Sequence, residues 1–97
     1  MNLTEQRNRT IDLKNIIEQR MEPLFNRVEV NGKLRFKEDS GRVFSLFTFP
    51  NDGAIGIEYA ENMNEALLNR FEDGDLFYLA DMDEETMFQA MLNEINN

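Results

Sequence analysis

Seven carboxylates and no basic side chain fall between residues 72 and 85: Glu72, Asp73, Asp75, Asp81, Asp83, Glu84 and Glu85. Oxygen ligands at that density admit three chemistries. An EF-hand calcium loop needs alternating oxygen ligands, a central glycine and a closing glutamate. Begun at Asp81, the chain offers Thr86 for the glycine and Leu92 for the glutamate; begun at Asp73, it puts Phe77 at an oxygen position. The calcium reading fails, and no metal is expected. In the second reading Asp81 or Asp83 caps a final helix, with Glu84 and Glu85 near its positive end. In the third, the carboxylates form an acidic docking surface that imitates a row of phosphates or steers a basic partner.

A second constellation lies in the middle of the chain. If residues 27–59 form antiparallel strands, one sheet face carries Val43, Phe47 and Phe49 beside Lys33, Arg35 and Lys37. Aromatic rings next to cations on an open sheet can stack bases and meet phosphates. The plainer account is cover by a helix or a second subunit, with Phe47 filling the gap over Gly56 on the neighbouring strand. These six residues are therefore a candidate partner surface.

The rest of the inventory excludes more than it suggests. Histidine and cysteine are absent, which removes the commonest general base near neutral pH, ordinary zinc sites, thiolate nucleophiles and disulfides. Ser40, Ser45, Tyr59 and Tyr78 have no histidine to activate them. No phosphate-cradling glycine loop or nucleophile elbow occurs, so no catalytic residue and no cofactor are expected. Catalysis by paired carboxylates would need two of them to converge in one cleft. Met63, Met82, Met87 and Met91 read as core filler at helical spacing rather than as an adaptable groove.

The formal charge is −9 over 97 residues, which disfavours nucleic acid and anionic membranes as partners. It is unevenly spread. Up to Val43 there are nine basic and seven acidic residues; beyond it there are one and twelve. The longest apolar run is Leu76 to Ala80, far short of a membrane span, and the polar start Met1-Asn2-Leu3-Thr4-Glu5 is unlike a signal peptide. A single cytoplasmic domain is the expectation.

The elements that must position these residues follow from periodicity. Leu3, Thr10, Leu13, Ile17, Met21 and Leu24 form one helical stripe, limited by Pro23, with Asn2 and Glu5 at capping-box spacing. Asp39-Ser40-Gly41 and Pro50-Asn51-Asp52-Gly53 read as hairpin loops. They set Phe36 against Phe44, Leu34 against Leu46, Leu46 against Ile57 and Phe44 against Tyr59. Asn31-Gly32 suggests a two-residue hairpin, but that register puts Val28 and Val30 on the cationic face. A shift pairing Val30 with Leu34 keeps alternation and is preferred. Asn62 opens a second helix running to about Glu72 and stopping at Gly74; Leu76 to Ala80 is a short buried segment; Asp81 to Glu85 opens the last helix.

The predicted fold is a two-layer α+β domain. An N-terminal helix precedes a three- or four-stranded antiparallel meander over about 27–59, and two helices separated by a short strand or extended segment follow. The predicted function is non-catalytic protein–protein contact, a homodimer being one form of it. An acidic inhibitor or nucleic-acid mimic is the alternative, and single-strand binding by the Phe47/Phe49 face is the weakest.

Overall fold

Asn2 opens the first helix in the computed structural model, which describes residues 2–97. Its side-chain oxygen accepts from the Glu5 amide at 2.9 Å, which satisfies a donor that the first turn leaves without a partner. Helix α1 runs Leu3–Met21 and stops two residues before Pro23, which has no amide hydrogen to continue it. Thr10, Ile17 and Met21 of the predicted stripe are buried, whereas Leu3 and Leu24 at its two ends are exposed.

Five strands follow: β1 (Asn26–Val30), β2 (Lys33–Lys37), β3 (Val43–Phe49), β4 (Ala54–Ala60) and β5 (Glu72–Tyr78). They form one sheet in chain order, every neighbouring pair antiparallel. Helix α2 (Met63–Leu67) lies between β4 and β5, and α3 (Glu84–Ile95) ends the fold. The domain is α+β as expected, with the strand count corrected from three or four to five.

Two loops hold the predicted registers. Gly41 takes φ +96° and Gly53 φ +63°, and Phe36 opposes Phe44 while Leu46 opposes Ile57 and Phe44 opposes Tyr59. Leu34 does not reach Leu46, because the β2–β3 ladder consists of the Phe36–Phe44 and Lys37–Val43 pairs alone. The β1–β2 register also corrects the expectation. Asn31 and Gly32 take φ 52° and 78° in a two-residue turn, and Val30 opposes Lys33 while Val28 opposes Arg35.

Strand alternation therefore puts Val28 and Val30 on the second face after all, and α2 explains why this is stable. Val30, Val43, Ala60 and Ala66 form a small buried cluster there, with Val28, Met63 and Phe71 packed against it. The Asn31 side-chain amide donates to the Leu67 carbonyl at 3.1 Å, tying the hairpin tip to the end of α2. The main core lies on the other face, where Ile17 and Met21 of α1 and Met87, Phe88, Met91 and Ile95 of α3 meet Phe36, Phe44, Leu46, Ile55, Ile57 and Phe77. Helices thus cover the sheet from both sides, not from one.

The second helix is shorter than predicted. It ends at Leu67, Asn69 turns the chain at φ +57°, and Glu72 to Tyr78 pair with β4 instead of completing a helix to Gly74. As the last strand, β5 exposes one edge and most of one face to water, so its acidic first half carries no burial cost.

Candidate functional site: the open end of the sheet

The second face divides along its strands. Its Val43 end lies under α2, and its other end carries two rows read directly from the registers. Phe47 opposes Gly56, which opposes Leu76; Phe49 opposes Ala54, which opposes Tyr78. Alternation puts all six on one side of the sheet.

Gly56 is required in the first row. A Cβ on it would stand 2.3 Å from Phe47 Cζ, so the Phe47 ring lies in the space that any other residue would fill. Phe49 packs edge-on against Phe47, with ring centres 5.4 Å apart at 83°. Around that half-buried ring, Phe49, Leu76 and Tyr78 are 46%, 38% and 39% exposed. The sequence reading of Leu76 to Ala80 as a buried segment is corrected: Phe77 alone of the five is buried, and Leu76 and Tyr78 face outward. Their alternation with Phe77 was the available signal, hidden because the acids before them resemble a helix end.

The predicted partner surface is only partly assembled. Phe47 and Phe49 are in it, Lys33 is exposed beside Phe47, and Lys37 is exposed opposite Val43 at the other end of the face. Val43 is a correction: it is wholly buried beneath α2. Arg35 is absorbed as well. Its side chain is 11% exposed and its guanidinium stands 3.7 Å from the Glu58 carboxylate and 4.8 Å from the centre of the Phe71 ring, with Nε buried and unpartnered.

The predicted acidic surface separates into two groups. Asp83 caps α3, its carboxylate accepting from the Thr86 amide at 2.8 Å, and that bond holds its pKa below the usual value. Glu84 and Glu85 accept from Arg20 at 3.2 and 2.7 Å, and the Arg20 bond likewise lowers Glu85. Arg20 itself lies 3.9 Å above the centre of the Phe88 ring, so this trio joins α1 to α3. Glu72, Asp73, Asp75 and Asp81 form no ion pair among the described residues. Asp73 opposes Glu58 and so shares the face of Leu76, and the Asp81 amide donates to the Tyr78 carbonyl at 3.0 Å in the turn that follows β5. Glu72 opposes Tyr59 on the core side, and Glu72, Asp73 and Asp75 line one groove with Arg42 and Glu94.

β5 is held in place by α3. The Glu94 carboxylate accepts from the Asp75 amide at 2.7 Å and from the Tyr59 hydroxyl. At the bulge, where the β4–β5 register shifts between Gly56 and Glu58, a Cβ on Gly74 would lie 2.7 Å from Glu94 Oε2 and 3.0 Å from the Ile57 carbonyl oxygen. Arg42 completes the strut: it donates to Glu38 and to the Ile95 carbonyl at the end of α3, and stacks 4.4 Å from the centre of the Tyr59 ring. An open groove of ≈ 960 Å³ runs beside these groups, lined by Arg42, Arg70, Phe71 and several carboxylates. Both oxygens of Glu94, the carboxylate at its floor, are occupied as acceptors within the fold.

Burial, and then the bond to Glu94, push Tyr59 well above its usual pKa. The folded chain therefore keeps a proton that the unfolded chain loses near pH 10. Stability from this source is complete below about pH 10 and is lost as the pH rises toward the folded-state value. Urea titrations between about pH 9 and 11 are expected to show falling stability, and Tyr59→Phe to flatten that fall. An unchanged slope in the variant would assign it to other groups.

No protein-family model matches this chain, and no curated protein or solved structure resembles it closely enough to count as a match. The reading of its function rests on this geometry.

Proposed function

We propose that this protein is a non-catalytic contact module that binds another protein through the open end of its sheet. The observation that carries the reading is the joint exposure of Phe49, Leu76 and Tyr78 on one rigid face, around a Phe47 ring seated on Gly56. Leaving large apolar side chains exposed forgoes the burial that would stabilise the fold, and an exposed apolar patch of this kind is characteristic of interaction sites. Aromatic residues lose little side-chain entropy when covered and commonly dominate interface energetics.

Single-strand binding has less support, because Arg35, the central cation beside the rings, is held by Glu58 and Phe71. The acidic-docking reading keeps four of its seven residues free of ion pairs, but Glu72 opposes Tyr59 on the core side of the sheet and Asp75 is turned toward Glu94, so they form no single surface.

The test is photo-crosslinking in cells that make the protein, with benzoylphenylalanine at position 49 or 78 and, as control, at Ile11, which is exposed on α1. A discrete protein adduct from 49 and 78 but not from 11 is expected. Equal labelling at all three positions, or none, overturns the reading.

A further inference from the structure

We infer that the contact is made by strand addition: an extended segment of another protein pairs antiparallel with the free edge of β5 at Leu76 and Tyr78, its alternate side chains apolar and lying beside theirs. The inference rests on the contact reading above and adds the form and chemistry of the partner.

The registers determine which main-chain groups are free. The Leu79 amide donates to the Gly53 carbonyl at 2.9 Å, so Leu79 and, two positions back, Phe77 turn their main-chain groups toward β4. Leu76 and Tyr78, which oppose Gly56 and Ala54, turn theirs to the outer edge of the last strand in the sheet. There the Tyr78 carbonyl accepts from the Asp81 amide at 3.0 Å. The Leu76 amide and carbonyl and the Tyr78 amide form no hydrogen bond among the described residues. Free donors and acceptors repeating along a strand are matched over their length by another extended main chain.

The opposite edge of the sheet is built differently. The two-residue turn makes Val30 and Lys33 a bonded pair, so the outward main-chain groups of β1 belong to Arg27 and Glu29, whose charges oppose pairing with a further strand. In β5 the charges stand only in the first half, at Glu72, Asp73 and Asp75, and there Glu94 already takes the Asp75 amide. The half that carries the free groups also carries the exposed side chains of Leu76 and Tyr78, in line with Phe47 and Phe49. Apolar side chains on an added strand extend those two rows across the edge.

A second copy fits this edge less well. Two β5 strands set antiparallel, with Leu76 opposite either Leu76 or Tyr78, bring the Asp75 of each chain against Phe77 or Leu79 of the other. That desolvates a carboxylate without pairing it, between two chains that each carry a charge of −9. A foreign segment with no acid at that position avoids both penalties.

The probe is a short synthetic peptide in which valine alternates with threonine, with a lysine at each end. It is compared with versions N-methylated at the valine amides or at the threonine amides, and with one carrying serine for valine. Affinity for the full chain is read by fluorescence anisotropy, and NMR amide shifts and hydrogen exchange locate the contact. The parent peptide is expected to bind, shifting the Leu76 and Tyr78 amides and slowing their exchange. In antiparallel pairing the residues opposite Leu76 and Tyr78 share both their face and their bonded edge, so the valines take those places. Methylating the valine amides should weaken binding about tenfold or more, because the methyl replaces the donor to the Leu76 carbonyl and stands where β5 lies. Methylating the threonine amides, which face away from β5, should change it less than about threefold. Serine for valine should weaken it about tenfold.

Equal effects of the two methylations, equal binding of the serine peptide, or protection on β1 instead of β5 would overturn the inference. So would a dimer, detected by light scattering, in which the Leu76 and Tyr78 amides are protected without peptide. If the parent peptide does not bind while positions 49 and 78 still give a discrete adduct, strand addition falls and the contact reading stands. Loss of both removes both.

Discussion

Replacing Phe44 with alanine is expected to lower the free energy of unfolding by about 3–5 kcal/mol. The side chain is wholly buried, and its ring meets Phe25 edge-on at 4.9 Å, stacks on Phe36 at 5.4 Å and touches Tyr59 at 6.4 Å. It joins the segment after α1 to three neighbouring strands, β2, β3 and β4. It also sits where the β2–β3 ladder is shortest, so its packing replaces hydrogen bonds that β2 does not make to β3. A domain of this length has roughly 5–15 kcal/mol in total, so the variant should be marginally folded and melt roughly 15 °C or more lower. Chemical denaturation followed by circular dichroism measures this. Phe49→Ala, on the exposed face, is expected to change stability by less than about 1 kcal/mol. Equal losses at the two positions would contradict the assignment of core and contact faces.

The second large effect is expected at Gly74, where valine should cost about 3 kcal/mol. Its β-carbon would enter space held by the Glu94 carboxylate, the Tyr59 ring at 2.8 Å and the Ile57 carbonyl oxygen at 3.0 Å. The carboxylate can swing aside, but the backbone oxygen cannot without unpairing β5. Moving Glu94 also releases the Asp75 amide and the Tyr59 hydroxyl. Hydrogen exchange should show the loss first at the amides of β5. Glu94→Ala in the valine background should recover little, because the backbone contact remains; full recovery would show that the side chain alone caused the strain. Leu76 and Tyr78 are positioned by the same strand, so crosslinking from position 78 should weaken in parallel with β5 protection.

The parts of this fold legible in the sequence are those decided over short distances. Asn2, Asn62 and Asp83 each cap a helix by accepting from the amide three residues on, a bond that needs no tertiary partner. The Asp39–Gly41 and Pro50–Gly53 loops set their registers because a left-handed glycine at a set position in the loop determines which residues meet across it. Phe47 over Gly56 followed from the second of these registers, and with it half of the candidate face.

Where the reading departed from the structure, the missing information was what lies above a surface. Alternation placed Val28 and Val30 toward the main core on the premise that apolar residues do not share a face with Lys33 and Arg35; five residues of α2 and the Phe71 ring cover that end of the face, so the valines are buried there and Val43 with them. The run Glu72 to Asp75 resembled a helix end because its acids have no period that demands a strand. Only pairing with β4 makes it one, and only then do Leu76 and Tyr78 join Phe47 and Phe49.

The sequence by itself therefore determined the helix starts, two hairpin registers, the division into a mildly basic first part and an acidic remainder, and the lack of the residues most catalytic sites use. Tertiary structure decided which acids remain unpaired, which cations are consumed, and which apolar residues stay uncovered. Capping and turn geometry act within a few residues, whereas burial and ion pairing depend on groups brought together from distant parts of the chain, as Arg20 meets Glu84 and Arg35 meets Glu58.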